Sequence, residues 1–463
     1  MLLSEVAKAV NGQLLGVNPG ADVELQSVGT DSRNIVKNQL FIAIKGENFD
    51  GNTFANEAIK QDAAAVLVSD SNTQARPALV VADTRLALGA LAKYWRNKFT
   101  LPLVAVTGSN GKTTVKEMIV AILSAANKSV LATQGNLNND IGMPMTLLNL
   151  QQKHDVAVIE MGMNHLGEID YLTHIAQPTV AVINNAGTAH IGEVGSRDNI
   201  AKAKGEIFAG LANDGIAVIN ADDDYAGDWK SLNVGRKILT FGFNKPADVS
   251  ATFTEKVGLS QLMLTTPSGS VDFSLALLGK HNVSNALAAS AAAVALGVSN
   301  ADIARGLACM QPVYGRLQSK AGFNGAVLID DTYNANPDSM KAAIDVLAAI
   351  KSDTIFVMGD MAELGDNAPQ MHADIGLYAK QKWIKQFFAF GDLSVKASEA
   401  FGDHAKHFDS IESLVAALKT QMKQDVTVLV KGSRFMQMER VVKELIVKEM
   451  LEQKHEREKT QCC

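Results

Sequence analysis

The segment Thr107-Gly-Ser-Asn-Gly-Lys-Thr-Thr114 restricts what this chain can fold into more than any other stretch of it. An apolar run, Leu103 to Val106, leads into it, and a helical pattern, Thr113 to Ala126, leads out. Small residues at such a strand-to-helix turn let backbone N–H groups close around phosphate oxygens, and the helix N-terminus adds positive potential. Lys112 would neutralise the β- and γ-phosphates, and Thr113 would offer its hydroxyl to Mg²⁺. Gly108, Ser109, Asn110, Gly111, Lys112, Thr113 and Thr114 are therefore the expected nucleotide cradle. The general G-x-x-x-x-G-K-[ST] pattern fits imperfectly, because it asks for glycine where this chain has Val106. The competing reading is a Gly-rich turn with a solvated lysine.

The rest of the chain repeats this β-α grammar. At about 150 residues per domain, 463 residues suggest roughly three domains. Up to about residue 100, strand-like runs (39–44, 64–68, 78–81) alternate with helical stretches (54–61, 85–98), and Thr100 and Pro102 mark a boundary. Continuous apolar runs follow at 103–106, 156–159, 180–183 and 216–219, as a parallel sheet covered on both faces requires. An Ala-rich helix, 282–296, is expected to close this unit, with a linker at 309–313. A second series begins near Arg316, with runs at 326–329, 354–357, 387–390 and 426–430 and helices at 337–350, 369–382 and 411–422. The fold class is α/β. Ligands of open α/β sheets bind outside the carboxyl ends of the strands, so the polar residues there are the first candidates.

Composition excludes several classes. With 43 Lys and Arg against 49 Asp and Glu, the net charge is −6, and no basic excess recommends a nucleic-acid partner. The 3 cysteines, Cys309, Cys462 and Cys463, cannot staple a fold and suit a reducing compartment. The first 25 residues carry no signal-peptide h-region, and the longest membrane-like stretch, 286–298, is short of the about 20 apolar residues a span needs. A cytoplasmic protein without membrane insertion is expected.

Two more strand ends complete a candidate centre. The run 156–159 stops on Glu160, and an acid at a strand tip beside a phosphate loop can reach Mg²⁺ directly or through water. The run 180–183 leads through Asn184-Asn185 to His190, which could ligate a metal or contact phosphate; a surface or satisfied core histidine is the bland alternative.

With these residues in place, the chain resembles the Mur ligase superfamily from Asp31 to about Glu439. The resemblance rests on the loop 107–114, which in this family tolerates the residue at Val106, and on Glu160-Met-Gly162, Asn185 to His190, Gly279-Lys-His-Asn282 with Asn285, and Tyr314-Gly-Arg316. Further stretches narrow it: Thr30-Asp-Ser-Arg33, Phe49-Asp-Gly51, 135–144, 330–337, 358–365 and 431–434. They resemble the members that add D-alanyl-D-alanine to UDP-N-acetylmuramoyl-tripeptide in cytoplasmic peptidoglycan precursor synthesis, through an acyl phosphate and with release of ADP and phosphate. The resemblance implies a smaller N-terminal α/β domain binding the UDP-sugar (1–100), a central P-loop-type domain with a mostly parallel sheet (101–312), a C-terminal Rossmann-like domain (313–453) and a flexible tail (454–463). It implies ATP, two Mg²⁺ ions, two small-molecule substrates and a monomer.

By the same resemblance, Thr113, Glu160, His190 and Lys204 hold metal, and Lys112, Glu160, His190 and Lys204 are the catalytic set. Lys204 matches a position that many members carry as a carbamate; Lys202 is the neighbouring register, and a solvated helix lysine the alternative. Asn282 and Asn285 match adenine contacts, unless they cap their helix. Arg316 and Asp331 match contacts that close onto ATP from the third domain, with Asp330 beside them. Asp31, Ser32 and Arg33 fall in the UDP-sugar region, although the residues alone equally describe a turn with an ion pair. Asn138, Asn139, Asn334, Asn336, Ser433 and Arg434 are the remaining substrate-side candidates; an arginine fork suits a carboxylate. The rival readings are a sister amide ligase, such as a folylpolyglutamate synthase, a nucleotide-hydrolysing switch, and a non-catalytic binding protein.

Overall fold

Apolar runs of four or five residues can be buried on both faces only where helices cover both sides of the sheet. The computed structural model describes residues 1–17, 22–46, 49–256 and 259–447. The expected tail 454–463, with Cys462 and Cys463, and the last residues of the expected third domain lie outside them. The first sheet contains β1 (Gln13–Leu15), β2 (Ser27–Gly29), β3 (Gln39–Ile42), β4 (Ala65–Val68) and β5 (Ala78–Val80). Its order is β1-β5-β4-β3-β2, parallel except where β1 joins β5.

The central sheet contains β6 (Leu103–Thr107), β7 (Val130–Ala132), β8 (Val156–Glu160), β9 (Val180–Ile183), β10 (Ile216–Asn220) and β11 (Lys237–Phe241). Its order is β11-β10-β9-β6-β8-β7, all parallel. The period of two along β6 divides its side chains between two cores. Val104 and Val106 pack with Val115, Met118, Ile119 and Ile122 of the helix Lys112–Ala125 and with the Ala-rich helix Lys280–Ala295. Leu103 and Ala105 face the opposite core, with Ile169 and Leu172 of the helix Glu168–Ala176. β6 lies between β8 and β9, so the chain crosses to either side of it and the phosphate loop sits at a topological switch point.

The Ala-rich helix does not close the central unit. A second helix, Asn300–Ala308, follows and packs on Lys112–Ala125, where Gly306 meets the backbone of Ile122. The structure also adds an antiparallel sheet that breaks the β-α alternation: β12 (Ser250–Lys256), β13 (Leu259–Thr266) and β14 (Gly269–Leu275). Its signal was the alternation in β13, where Leu262 and Leu264 are buried while Met263 and Thr265 are exposed. The membrane-like stretch 286–298 is buried from Ala286 to Ala293 beneath these elements, and no helix among the described residues is long and apolar enough to cross a membrane.

The last sheet contains β15 (Gln318–Ala321), β16 (Val327–Asp331), β17 (Asp353–Gly359), β18 (Gln386–Phe390), β19 (Ala405–Phe408) and β20 (Val426–Lys431). Its order is β15-β16-β20-β17-β18-β19, parallel except for β15. The loop leaving β16 reaches the phosphate loop of the central sheet and the loop leaving β17 reaches the segment after β9, so two sets of strand ends face each other.

Candidate active site

The phosphate loop is held open by side chains from three neighbouring segments. Ser109 N donates to Asn185 O at 3.0 Å and Asn110 N to Asn185 Oδ1 at 2.9 Å. Asn184 Nδ2 donates to Asn110 O at 2.9 Å and to Asn285 Oδ1 at 2.8 Å, and Asn285 Nδ2 donates to Asn282 Oδ1 at 3.2 Å. The two asparagines of the Ala-rich helix therefore form a buried relay onto the loop, and neither is the cap of its helix, which is Gly279. Gly111 has φ +79°, and a Cβ there would fall 2.3 Å from Asn285 Oδ1, so glycine is required by conformation and by space.

The helix then begins at Lys112, where its first amides have no intrahelical partners. Lys112 Nζ donates to Gly108 O at 2.7 Å, and burial pushes its amine below the usual lysine range. Thr113 Oγ1 donates to Glu160 Oε2 at 2.9 Å, while Asn138 Nδ2 donates to Glu160 Oε1 at 2.7 Å. Glu160 is thus fixed at both oxygens at the tip of β8 and is buried. Thr114 is buried in the first turn of the same helix.

The last domain meets this loop and the segment that follows β9 through four residues. Arg316 Nη2 donates to Thr113 Oγ1 at 3.1 Å, and its guanidinium lies 4.2 Å from the centre of the Tyr333 ring. Asn336 caps the helix Pro337–Ala348 and donates from Nδ2 to Asn110 Oδ1 at 2.8 Å. Asp338 Oδ2 accepts from Thr188 N at 2.7 Å and from Thr188 Oγ1 at 2.9 Å. His190 Nδ1 lies 2.6 Å from Glu363 Oε2, outside hydrogen-bond alignment, and the imidazole holds that carboxyl below its ordinary range.

Lys204 sits apart from these contacts in the helix Arg197–Gly205 and is 1% exposed, whereas Lys202 is exposed. Burial, and then the nearby Lys112 charge, hold its amine well below the usual lysine value. Asp331 is also buried, but it is engaged within its own domain: Lys431 Nζ donates to Oδ2 at 2.6 Å and Leu317 N to Oδ1 at 3.2 Å. Burial pushes its carboxyl up, against the pull of Lys431. Asp330 has a separate partner, Lys320, at 2.5 Å.

Other sequence candidates fall into local roles. Arg33 donates from Nε to Asp31 Oδ1 at 2.8 Å and from Nη2 to Asp31 Oδ2 at 2.9 Å, in a turn that also contains Ser32. Arg33 holds the Asp31 carboxyl well below the carboxylate range. Asn139 Oδ1 accepts from Gly142 N at 2.8 Å, at the start of the helix Gly142–Leu147. Asn334 Oδ1 accepts from Ala335 N, and Ser433 Oγ donates to Ala335 O at 3.2 Å and accepts from Ala362 N at 2.9 Å. Arg434 lies 3.2 Å from Glu439 and is exposed.

Asn184, Thr188, Asp338 and Glu363 were not selected from the sequence as site residues. Asp338 follows Asn336-Pro337 as an ordinary first-turn acid of a helix, and its partner is 150 residues away, so no local signal reveals the pairing.

The residues fit a nucleotide with a hydrated divalent cation. Asn184 Oδ1 and Arg316 Nε are buried at the loop without hydrogen-bond partners among the described residues. Such atoms call for a polar occupant. No group of three or more His, Cys, Asp or Glu side chains among the described residues is gathered for metal. Mg²⁺ needs none, since it is held by one or two protein oxygens together with substrate phosphates and water.

Comparison with known proteins extends over the whole arrangement. Three family profiles match: "Mur ligase family, catalytic domain" at residues 24–96, "Mur ligase middle domain" at 106–293, and "Mur ligase, glutamate ligase domain" at 315–434. The chain is 43% identical to the UDP-N-acetylmuramoyl-tripeptide–D-alanyl-D-alanine ligase of Escherichia coli over 96% of this chain and 98% of that protein. A crystal structure of MurF from Acinetobacter baumannii superposes with a TM-score of 0.90 at 39% identity, over 95% of this chain and 97% of the other. The MurF ligase of Thermotoga maritima, solved in complex with ADP, gives a TM-score of 0.82 at 28% identity, over 91% and 97% of the two chains.

Proposed function

The chain belongs to the Mur ligase family, and from that premise we propose that it joins D-alanyl-D-alanine to UDP-N-acetylmuramoyl-tripeptide at the expense of ATP. The observation that carries the reading is the contact of Arg316 with Thr113, which itself bonds Glu160. A residue of the last domain thereby completes a phosphate site built by the central one, as a reaction uniting three substrates requires. A sister ligase of the family is less well supported, because the likeness to D-alanyl-D-alanine ligases runs through the first domain as well.

The terminal carboxylate of the tripeptide attacks the γ-phosphorus of ATP, and ADP leaves with the electrons of the broken P–O bond. The amine of D-alanyl-D-alanine attacks the resulting acyl phosphate, loses a proton, and inorganic phosphate departs. Two anions must approach in the first step, so positive charge is needed where they meet. Lys112 is suited to the β- and γ-phosphates, and Arg316 to the transferred phosphoryl group. Mg²⁺, held by Thr113 and Glu160 with His190 nearby, would neutralise phosphate charge. Gly108, Ser109, Asn110, Gly111 and Thr114 supply the backbone cradle. Asn282 and Asn285 support it from beneath and are the candidate contacts for the base, and Asp331 is the candidate contact for the ribose.

Lys204 is the candidate carbamate. A lysine kept below its usual range by burial offers the neutral amine that combines with carbon dioxide, and the product would be a further anionic metal ligand. Asp31, Ser32 and Arg33 form the UDP-sugar side, Asn138 and Asn139 the substrate-facing edge of the central domain, and Asn334, Asn336, Ser433 and Arg434 that of the last. The protein acts as a cytoplasmic monomer in this reading, with domains near 1–100, 101–312 and 313–453.

Phosphate release from ATP and Mg²⁺ tests the proposal. It should require UDP-N-acetylmuramoyl-tripeptide and D-alanyl-D-alanine together and yield a product heavier by the dipeptide minus water. Turnover with a folate or a single amino acid instead would refute it in favour of a sister ligase.

A further inference from the structure

A basic side chain beneath the phosphate loop takes no part in these roles. Lys116 lies one turn beyond Lys112 on the same helix and is 1% exposed. Burying an ammonium group is costly unless its donors are satisfied. Its Nζ donates to Thr133 O at 2.6 Å and pairs with the Glu117 carboxylate. Thr133 stands just past β7, is itself buried, and accepts at Oγ1 from Glu160 N at 2.9 Å. The amine, the threonine and the backbone of Glu160 are therefore linked in series.

The loop that starts at Thr133 continues to Asn138, the donor to Glu160 Oε1, whose own carbonyl accepts from Gly162 N at 2.9 Å. The other carboxylate oxygen is held by Thr113, three residues before Lys116 on the helix. Helix and loop grip Glu160 from two sides, and Lys116 ties one to the other. Without its amine, Thr133 O loses a charged donor, the loop is free to withdraw with Asn138, and Glu160 keeps only one fixed oxygen.

We propose that Lys116 is a positioning residue for the metal-facing carboxylate of Glu160, acting through Thr133 and the loop 133–138. The inference rests on the reading of Glu160 as a metal ligand. Loss of a partner that orients a metal ligand lowers metal affinity about 10-fold or more.

The test uses Mn²⁺ as the probe, with free Mn²⁺ followed by electron paramagnetic resonance as the full chain is titrated in the presence of ADP. Lys116→Met and Thr133→Val should each raise the apparent Mn²⁺ Kd about 10-fold. Thr133→Ser, which keeps the hydroxyl, should bind as the unaltered chain does, and ADP affinity without metal should hold in all three. The double variant Lys116→Met/Thr133→Val should be no weaker than either single one, because each breaks one bond of the same series. Unchanged Mn²⁺ affinity in a folded Lys116→Met protein overturns the proposal, as does unchanged affinity in Thr133→Val, which decides alone if Lys116→Met does not fold. If Glu160→Gln binds Mn²⁺ as tightly as the unaltered chain, the metal reading itself fails, and this inference with it; if only the Lys116 and Thr133 variants are silent, the metal reading stands.

Discussion

Replacing Asp338 by alanine should undock the last domain from the loop that carries His190. The carboxylate accepts two hydrogen bonds from Thr188, at 2.7 Å to its N–H and 2.9 Å to its hydroxyl. Hydrogen bonds to a charged acceptor contribute about 1.5–3 kcal/mol each. Both residues are half-buried, so the lower figure applies, and the pair is worth about 3 kcal/mol to the docked arrangement. At 1.4 kcal/mol per decade, that is about a 100-fold shift toward the undocked arrangement. The carboxylate rests directly on the backbone of the loop, since a Cβ on Gly187 would lie 2.3 Å from Asp338 Oδ2. Steady-state phosphate release with both substrates is the assay, read as kcat/KM for ATP beside a thermal melt. Asp338→Ala should lose between about 10-fold and 100-fold in kcat/KM with little change in melting, and Asp338→Asn, which keeps one carbonyl acceptor, should lose less. A folded Asp338→Ala protein within about twofold of the unaltered chain, where 1.4 kcal/mol would already cost tenfold, would refute the reasoning.

Other consequences follow from burial and charge. Lys204 carries a depressed folded pKa, so between that value and its ordinary 10.5 the unfolded chain binds more protons and stability rises with pH. In bicarbonate-free buffer Lys204→Met should therefore be the more stable protein, by a margin that shrinks in denaturant melts as the pH climbs toward 10.5. His281 is pushed down to about 4, by burial first and then by the Lys431 charge, with Asp345 opposing. It should remain neutral in the folded chain above that value, and stability should fall as pH drops from 6.5 to about 4, a slope that His281→Gln removes and that a histidine NMR titration checks directly. Chelation of divalent metal should abolish phosphate release yet leave the melting curve unchanged, because no group of three or more His, Cys, Asp or Glu side chains is gathered for metal among the described residues.

Much of the frame was legible before any coordinates. The strands at Leu103–Thr107, Val156–Glu160 and Val180–Ile183 stand where continuous apolar runs end on polar residues, since a strand buried on both faces has no room for polar side chains until it leaves the sheet. The antiparallel sheet Ser250–Leu275 is not legible in the same way, because its strands, although 7 or 8 residues long, alternate apolar and polar positions instead of forming continuous apolar runs, and they sit within an otherwise β-α sequence. Among site residues, the loop 108–114 and Glu160 announce themselves through local spacing. The resemblance points to Lys204 over Lys202, two positions earlier in sequence; only the packing of their helix buries the first and exposes the second.

The sequence by itself determined what is local: strand-loop-helix units, a phosphate loop whose Gly111 takes a positive φ, and acids at strand tips. Backbone conformation and periodic burial depend on neighbours a few residues away, and a linear reading carries them. Tertiary structure alone decided which strand ends meet. Arg316 on Thr113, Asn336 on Asn110, Asp338 on Thr188 and Glu363 beside His190 join residues more than 140 positions apart. Their pairing is set by how two separately folded sheets turn their carboxyl ends toward one another, and that is a property of packed surfaces that no spacing along the chain encodes.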